Sequence, residues 1–321
     1  MIYDVIALGE LLIDFSPVGT DDGGYPILAA KPGGAPANYL AALSTYGMKT
    51  AFLCKVGNDA FGRMLLATLV AVGIETKGIL LDDAAFTTLA FVTLDGAGER
   101  SFSFSRKPGA DTRLRFEELD LSMIDAAKVF HFGTLSLTDE PARRATQEAV
   151  AYATERNKLI TFDPNLRLPL WKSREEAEDQ ILWGLRCADI VKISNEEIEF
   201  LWDCSEKDGA ARLIGEFGVS LVMVTLGANG CYLANDRNFV AVPCPPVKPV
   251  DTTGAGDIFG GAALSRILSL GKNACDLNLQ ELREIAEFAS VAASLSTQKP
   301  GGISSIPEEE AVVHMVKRIF G

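Results

Sequence analysis

Asp251-Thr252-Thr253-Gly254-Ala255-Gly256-Asp257 runs directly into Ile258-Phe259-Gly260-Gly261-Ala262-Ala263-Leu264, a turn of small residues feeding an apolar helical stretch. Such a turn leaves the backbone N–H groups of Gly254, Ala255 and Gly256 pointing out of a helix N-terminus, where the macrodipole favours negative charge and no side chain blocks a phosphate. Asp257 then lies in the first helical turn. A carboxylate beside an anion site has a chemical use if a neighbouring group must give up its proton, as an alcohol does when it attacks a γ-phosphate. Capping by Asp251 or Thr253 with close packing at the glycines explains one acid and some of the glycines. It leaves a second acid, and Gly260 and Gly261 inside the helix, where each glycine costs about 1 kcal/mol against alanine.

Outward from this turn, apolar runs of strand length recur at residues 5–8, 51–56, 129–132, 159–162, 190–193 and 221–225. Between them, residues 61–72, 140–152 and 175–185 carry apolar side chains at helical spacing. This alternation predicts an α/β fold with a mainly parallel central sheet flanked by helices. Residues 10–31 and 86–105 break the pattern, since both hold short strands joined by turns such as Asp21-Asp22-Gly23-Gly24 and Asp95-Gly96-Ala97-Gly98. Neither segment can bury a core of its own. Together they predict a small β-sheet lid, formed from about residues 10–32 and 86–107 of a single domain spanning 1–321.

The composition narrows the function classes. Of 321 residues, 48% are hydrophobic, enough for a large core, and 43 acidic against 30 basic residues give a formal charge of −13. That charge opposes binding to nucleic acid or to an anionic membrane, so an anionic substrate needs a local cationic site. No basic segment precedes a long apolar stretch at Met1-Ile2-Tyr3-Asp4, and no apolar run reaches the roughly 18 residues of a spanning helix. The expected location is cytoplasmic. Six scattered cysteines without CxxC spacing are expected to be buried free thiols. Two histidines far apart, His131 and His314, exclude His-pair or Ser-His-Asp chemistry, and His131 in an apolar run is expected to be a hydrogen-bonded core residue.

Asp251-Thr252-Thr253-Gly254-Ala255-Gly256-Asp257-Ile258-Phe259-Gly260-Gly261 resembles the C-terminal signature of the ribokinase (PfkB-type) carbohydrate kinase family. Gly33-Gly34-Ala35-Pro36-Ala37-Asn38 is similar to that family's first signature, and the resemblance spans nearly the whole chain. It implies a ribokinase-like fold, ATP and Mg²⁺, and Asp257 as the catalytic base beside the Gly254-Ala255-Gly256 loop. It further implies that Gly33 and Gly34 let a sugar approach the backbone, that Asn38 bonds a sugar hydroxyl and that Asp14 binds two of them. Read alone, a glycine pair before a helix marks close approach or an unusual turn, and Asp14 could equally be a solvated strand-end acid.

For the nucleotide, Thr225-Leu226-Gly227-Ala228-Asn229-Gly230 resembles the family's TLGxxG loop at the end of an apolar strand, where α/β folds place ligands; a plain hairpin turn is the other reading. Lys192 precedes Ile193-Ser194-Asn195-Glu196-Glu197, similar to the family's NxxE segment. The segment departs from that pattern: Ser194 stands at the usual Asn and Glu197 at the Glu, since a shift by one to Asn195 would put Ile198 at the acid. In this register Ser194 caps the helix and the resemblance implies that Glu197 reaches Mg²⁺ through water. The resemblance also implies a monovalent cation, K⁺, near Asp251 and Thr253, and a homodimer formed through the lid, which exposed strand edges make physically reasonable.

Asp163-Pro164-Asn165-Leu166-Arg167-Leu168-Pro169-Leu170-Trp171 is similar to a segment of fructokinases and points to fructose as acceptor. Arg167 offers a planar fork for an anion, or else lies over Trp171 and pairs with Asp163. Phe104 and Arg106, at the end of a lid hairpin, either close over the sugar or are simply lid surface. The two arginines keep 2-keto-3-deoxygluconate, which carries a carboxylate, as the alternative acceptor. A regulator that binds sugar or nucleotide without turnover is the reading of another class, and the presence of Asp257 speaks against it. An oxidoreductase is disfavoured because no GxGxxG follows the first strand.

Overall fold

Runs without a polar face have no side to turn toward water, and the strands they form are covered on both faces. In a computed structural model the chain is described over residues 2–94 and 100–321. The strands are β1 (Tyr3–Leu8), β2 (Leu12–Thr20), β3 (Pro26–Gly33), β4 (Thr50–Gly57), β5 (Ile74–Glu75), β6 (Ile79–Asp82), β7 (Leu89–Leu94), β8 (Arg100–Ser105), β9 (Ala127–Gly133), β10 (Leu159–Asp163), β11 (Ile190–Ser194), β12 (Leu221–Thr225), β13 (Cys231–Ala234) and β14 (Phe239–Val242). Among the described residues ten of them build one sheet in the order β14-β13-β12-β11-β10-β9-β1-β4-β5, with β6 also on β4. The pairings from β12 through β11, β10, β9 and β1 to β4 are parallel, as expected. The antiparallel margin β13–β14 was not expected.

Side chains alternate along each strand. Val5 and Ala7 of β1 join the core on one face, Ile6 and Leu8 the core on the other. The helices expected at 61–72, 140–152 and 175–185 form as Ala60–Ala71, Ala142–Glu155 and Arg174–Cys187. Register puts Gly133 beside Asp163 and Ser194 beside Thr225, so the carboxyl ends of β9 to β12 meet at one edge, where α/β sheets receive ligands.

Four strands form a separate sheet in the order β3-β2-β7-β8. β2 pairs antiparallel with β3 and parallel with β7, and Ala90 faces Phe104 across the β7–β8 pair. This is the small sheet read from the hairpin patterns. Its turn at Asp95-Gly96-Ala97-Gly98 lies outside the described residues. Because β2 follows β1 closely and β3 runs into the helix Ala35–Thr45, the small sheet hangs from the edge that carries the strand ends.

Gly260 and Gly261 have a packing reason. A Cβ on Gly261 would lie 2.5 Å from the Tyr39 carbonyl oxygen, and one on Gly260 would lie 3.1 Å from the Tyr39 ring. The glycines let the helices Ala35–Thr45 and Ala255–Leu270 cross at close range, which offsets their cost in helix propensity. His131 is a buried core residue as expected, with Nδ1 3.0 Å from Thr161 Oγ1 and its ring stacked on Tyr39 at 3.8 Å. Burial pushes it down to about 3, so it is neutral. All six cysteines are free thiols, but only Cys54 and Cys231 are buried and the other four are half-buried. No helix among the described residues is long and apolar enough to cross a membrane.

Candidate active site

Gly254 adopts φ +76° and forms the N-cap of the helix Ala255–Leu270, a conformation that glycine reaches without strain. The turn is held on both sides. Asp251 Oδ1 accepts from the Thr253 N–H at 3.0 Å, Asp251 Oδ2 accepts from the Gly301 N–H at 2.8 Å, and Lys31 Nζ lies 3.6 Å from Oδ2. A Cβ on Gly254 would come within 3.0 Å of both Asn38 Nδ2 and Gly302 Cα. Of the three amides read as an anion cradle, that of Ala255 donates back to the Thr252 carbonyl in a long 3.3 Å bond. Gly254 and Gly256 line the cavity beside Asp257, and Ala255 does not.

This cavity has a volume of ≈ 400 Å³. Asp257 in its wall is 9% exposed, and its Oδ2 accepts from Asn38 Nδ2 at 2.9 Å. Burial pushes the Asp257 carboxyl above its ordinary range, while Lys192, the Asn38 donor and Arg167 pull the other way. Lys192 is buried with Nζ 3.1 Å from Asp163 Oδ2, on the neighbouring strand β10. Burial alone would push Lys192 down, but the Asp163, Glu197 and Asp257 carboxylates outweigh it and keep the ammonium charged. Lys192 is thus a cation beside the turn, with its Nζ 3.0 Å from where a Cβ on Gly256 would lie.

Asp14 on β2 lines the same cavity. Burial pushes it up to about 7, with Arg167 opposing. A Cβ on Gly33 would lie 2.1 Å from Asp14 Oδ2, so a side chain there would push the Asp14 carboxylate from its place. Gly34 sits at φ +112°, also on the cavity wall. Asn38 also lines the cavity, and among the described residues its Oδ1 is buried without a hydrogen-bond partner. Phe104 lines the cavity from the small sheet.

Arg106 departs from expectation. It is buried, with Nε on Asp111 at 2.8 Å, Nη1 on Thr138 Oγ1 at 2.6 Å and Nη2 on the Leu135 carbonyl at 2.8 Å, and it is not part of the cavity wall. Asp111 lies five residues further on and claims the guanidinium before any sugar could. Arg167 does line the cavity and donates to the Leu166 carbonyl at 3.0 Å. Asp163, read as a possible partner of Arg167, pairs with Lys192.

Ser194 caps the helix Asn195–Trp202 as read, its Oγ accepting from the Glu197 N–H at 3.2 Å while Glu197 Oε2 accepts from the Ser194 N–H at 2.8 Å. Glu197 Oε1 also accepts from the Leu166 N–H at 2.8 Å, so the carboxylate is pinned in the cavity wall.

A second cavity of ≈ 500 Å³ adjoins the first, and Thr225, Thr252 and Gly256 line both. Gly227 and Gly230 line it, so the Thr225–Gly230 turn is at once the β12–β13 hairpin and part of a cavity wall. A Cβ on Gly230 would lie 2.0 Å from the Val242 carbonyl oxygen. Pro245, Val247, Phe259 and Ala293 give this chamber apolar walls suited to an aromatic base.

Residues 4–309 match the sequence pattern of the pfkB family of carbohydrate kinases. The chain belongs to the PfkB family of carbohydrate kinases. Among its PfkB relatives, Fructokinase-1 of Zea mays is 44% identical over 318 residues, covering 98% of each chain. A fructokinase of Xylella fastidiosa, solved with bound ATP, superposes with a TM-score of 0.91 at 28% identity over 100% of both chains. A fructokinase of Vibrio cholerae O395, solved with fructose, ADP and a calcium ion, superposes with a TM-score of 0.87 at 32% identity over 98% of this chain and 99% of that one.

Several PfkB site features escaped the sequence reading. Glu10 lines the first cavity, and the Asp163–Lys192 pair stands at its edge. The proline-rich run Pro243-Cys244-Pro245-Pro246-Val247-Lys248-Pro249, which contributes to the second cavity, was the available signal for that chamber.

Proposed function

We propose that this PfkB carbohydrate kinase phosphorylates fructose on its terminal hydroxyl with ATP, giving fructose 6-phosphate. The observation that carries the reading is Asp257, a buried carboxylate held by Asn38 at the amino end of a helix, in the wall of a polar cavity that opens onto an apolar one. The sugar lies over Asp14, Asn38 and the Gly33–Gly34 backbone under Phe104, and the small sheet acts as a lid that excludes water. Asp257 takes the hydroxyl proton, and the sugar oxygen forms its bond to the γ-phosphorus as the bond to the β-γ bridging oxygen breaks and ADP leaves. The amides at Gly254 and Gly256, with Lys192 and Arg167, stabilise the transferring charge. Burial raises the Asp257 carboxyl toward the working pH, which suits a general base. The nucleotide base lies in the second chamber, with Thr225, Gly227 and Gly230 along the phosphate path.

The donors present fit a magnesium ion that arrives with the phosphates. Among the described residues no group of three or more His, Cys, Asp or Glu could hold a metal by itself. Magnesium keeps several waters and takes one or two carboxylates, which Glu197 can supply through a water. When bound, the ion neutralises phosphate charge. Asp251 and Thr253 are the candidate surroundings of a potassium ion; equal rates in sodium-, potassium- and caesium-only buffers would remove that assignment.

The engagement of Arg106 by Asp111 takes away one of the two cations that a carboxylate-bearing acceptor such as 2-keto-3-deoxygluconate needs, and this favours a neutral ketose. Retention of the buried Asp257 favours turnover over a binding-only regulator. Initial ATP consumption with fructose, 2-keto-3-deoxygluconate, ribose and tagatose, measured side by side, tests the choice. A preference for any acceptor but fructose refutes it, and consumption that no sugar stimulates refutes the kinase reading. A cytoplasmic setting rests on the acidic surface and free thiols. A homodimer through the small sheet rests on its exposed Val18 and Ile27 and is tested by the mass in solution.

A further inference from the structure

We infer that Glu10 is a positioning residue of the acceptor site: from the end of β1 its carboxylate caps the helix that carries Asn38 and holds the Gly33–Gly34 turn against the sugar cavity. This rests on the acceptor site proposed above. The helix Ala35–Thr45 lacks its own N-terminal support. Its N-cap is Gly34, which makes no side-chain bond, and no acidic residue stands in its first turn. Pro36 has no N–H, so the Ala35 amide is the first donor in need of an acceptor. Glu10 Oε1 supplies it at 2.9 Å, from 25 residues away in the chain.

Two further contacts make this a grip rather than a single bond. A Cβ on Gly9 would lie 2.6 Å from Pro36 Cγ, and a Cβ on Gly34 would lie 2.6 Å from the Glu10 carbonyl oxygen. Gly9 and Glu10 therefore clasp three successive residues, Gly34, Ala35 and Pro36. Glu10 is 2% exposed and belongs to the wall of the cavity that Asp14, Asn38 and Asp257 line. Burial pushes it up to about 7, against the pull of its own N–H and that of Ala35. A buried carboxyl is costly unless it is hydrogen-bonded, and here the bond it makes fixes where the helix begins. Asn38, one turn on, depends on that start for its reach to Asp257.

The test compares Glu10→Ala with Glu10→Gln, whose amide oxygen still reaches the Ala35 N–H. In Glu10→Ala, amide hydrogen exchange over residues 33–38 accelerates. The fructose KM rises about tenfold or more, the scale of a lost hydrogen bond to a charged acceptor, with the KM for ATP unchanged. Glu10→Gln restores most of both. An unchanged fructose KM in Glu10→Ala, or equal rises in both KM values, overturns the inference. If Glu10→Ala does not fold, Glu10→Asp, one methylene too short, takes its place. A fructose KM raised in Asp but not in Gln supports the role, and equal values overturn it. If the wild type phosphorylates no sugar, the proposed function fails, and the exchange rates alone decide this inference: acceleration supports it and unchanged rates overturn it.

Discussion

Asn38 Nδ2 donates to Asp257 Oδ2 at 2.9 Å across 219 residues of chain, joining the first turns of two helices that cross at Gly260 and Gly261. The bond favours the ionised carboxylate, which burial opposes. Asn38→Ala therefore raises the Asp257 pKa further. With Asp257 as the proposed base, which must be ionised to take the proton, the rate is expected to fall as pH drops through that pKa. The acidic limb of the kcat–pH profile moves to higher pH in Asn38→Ala. Asp257→Asn lowers kcat roughly 10²- to 10⁴-fold across the profile, the scale of losing a general base. An unshifted limb in Asn38→Ala contradicts the coupling.

Asp14 is held up to about 7 by burial, so the folded protein binds its proton more tightly than the unfolded chain, where an aspartate titrates near 3.9. Its contribution to stability is complete below about pH 4 and is lost as pH rises through about 7. Asp14→Asn is therefore expected to melt higher than wild type at pH 8, with the gap shrinking toward pH 4, and to bind fructose more weakly. Thermal melts across this range, with fructose KM at neutral pH, check both halves.

Arg106 and Asp111 are both buried, and their ion pair at 2.7 Å is reinforced by Thr138 and the Leu135 carbonyl. Arg106→Ala leaves the Asp111 charge without its partner, and the expected loss of stability is about 3–5 kcal/mol. Urea unfolding measures it. A variant as stable as wild type but weak in fructose binding would return Arg106 to the sugar.

Ala293 faces the apolar chamber from the helix Leu279–Ser296. Ala293→Phe fills the space assigned to the base and raises the KM for ATP about tenfold or more, equivalent to about 1.4 kcal/mol or more of lost binding. Fructose KM stays near its original value. Steady-state kinetics with each substrate varied in turn would expose an error if the two constants moved together.

The parallel strands were legible because residues such as 190–193 are apolar on both faces, a pattern that survives without knowledge of neighbours. β13 and β14 were not, since each is four residues long and β14 alternates exposed with buried positions, as a loop also can. Asp257 and its turn were legible from local spacing. Lys192 was recognised, but its partner Asp163 was not, because their contact exists only once β10 and β11 lie side by side. Arg106 was misread for a similar reason: a sequence shows a cation near the lid but not the buried acid that has already claimed it. Gly260 and Gly261 were read toward chemistry, whereas their contacts with Tyr39 serve helix crossing, and only through that crossing the site.

Thr225, Thr252 and Gly256 belong to the walls of both chambers, so on the proposed assignment sugar and nucleotide have separate berths with a common threshold. Neither has to leave for the other to enter. Transfer through a ternary complex, with intersecting rather than parallel double-reciprocal plots, is the kinetic order expected of that assignment, and one molecule spanning both berths would compete with either reactant.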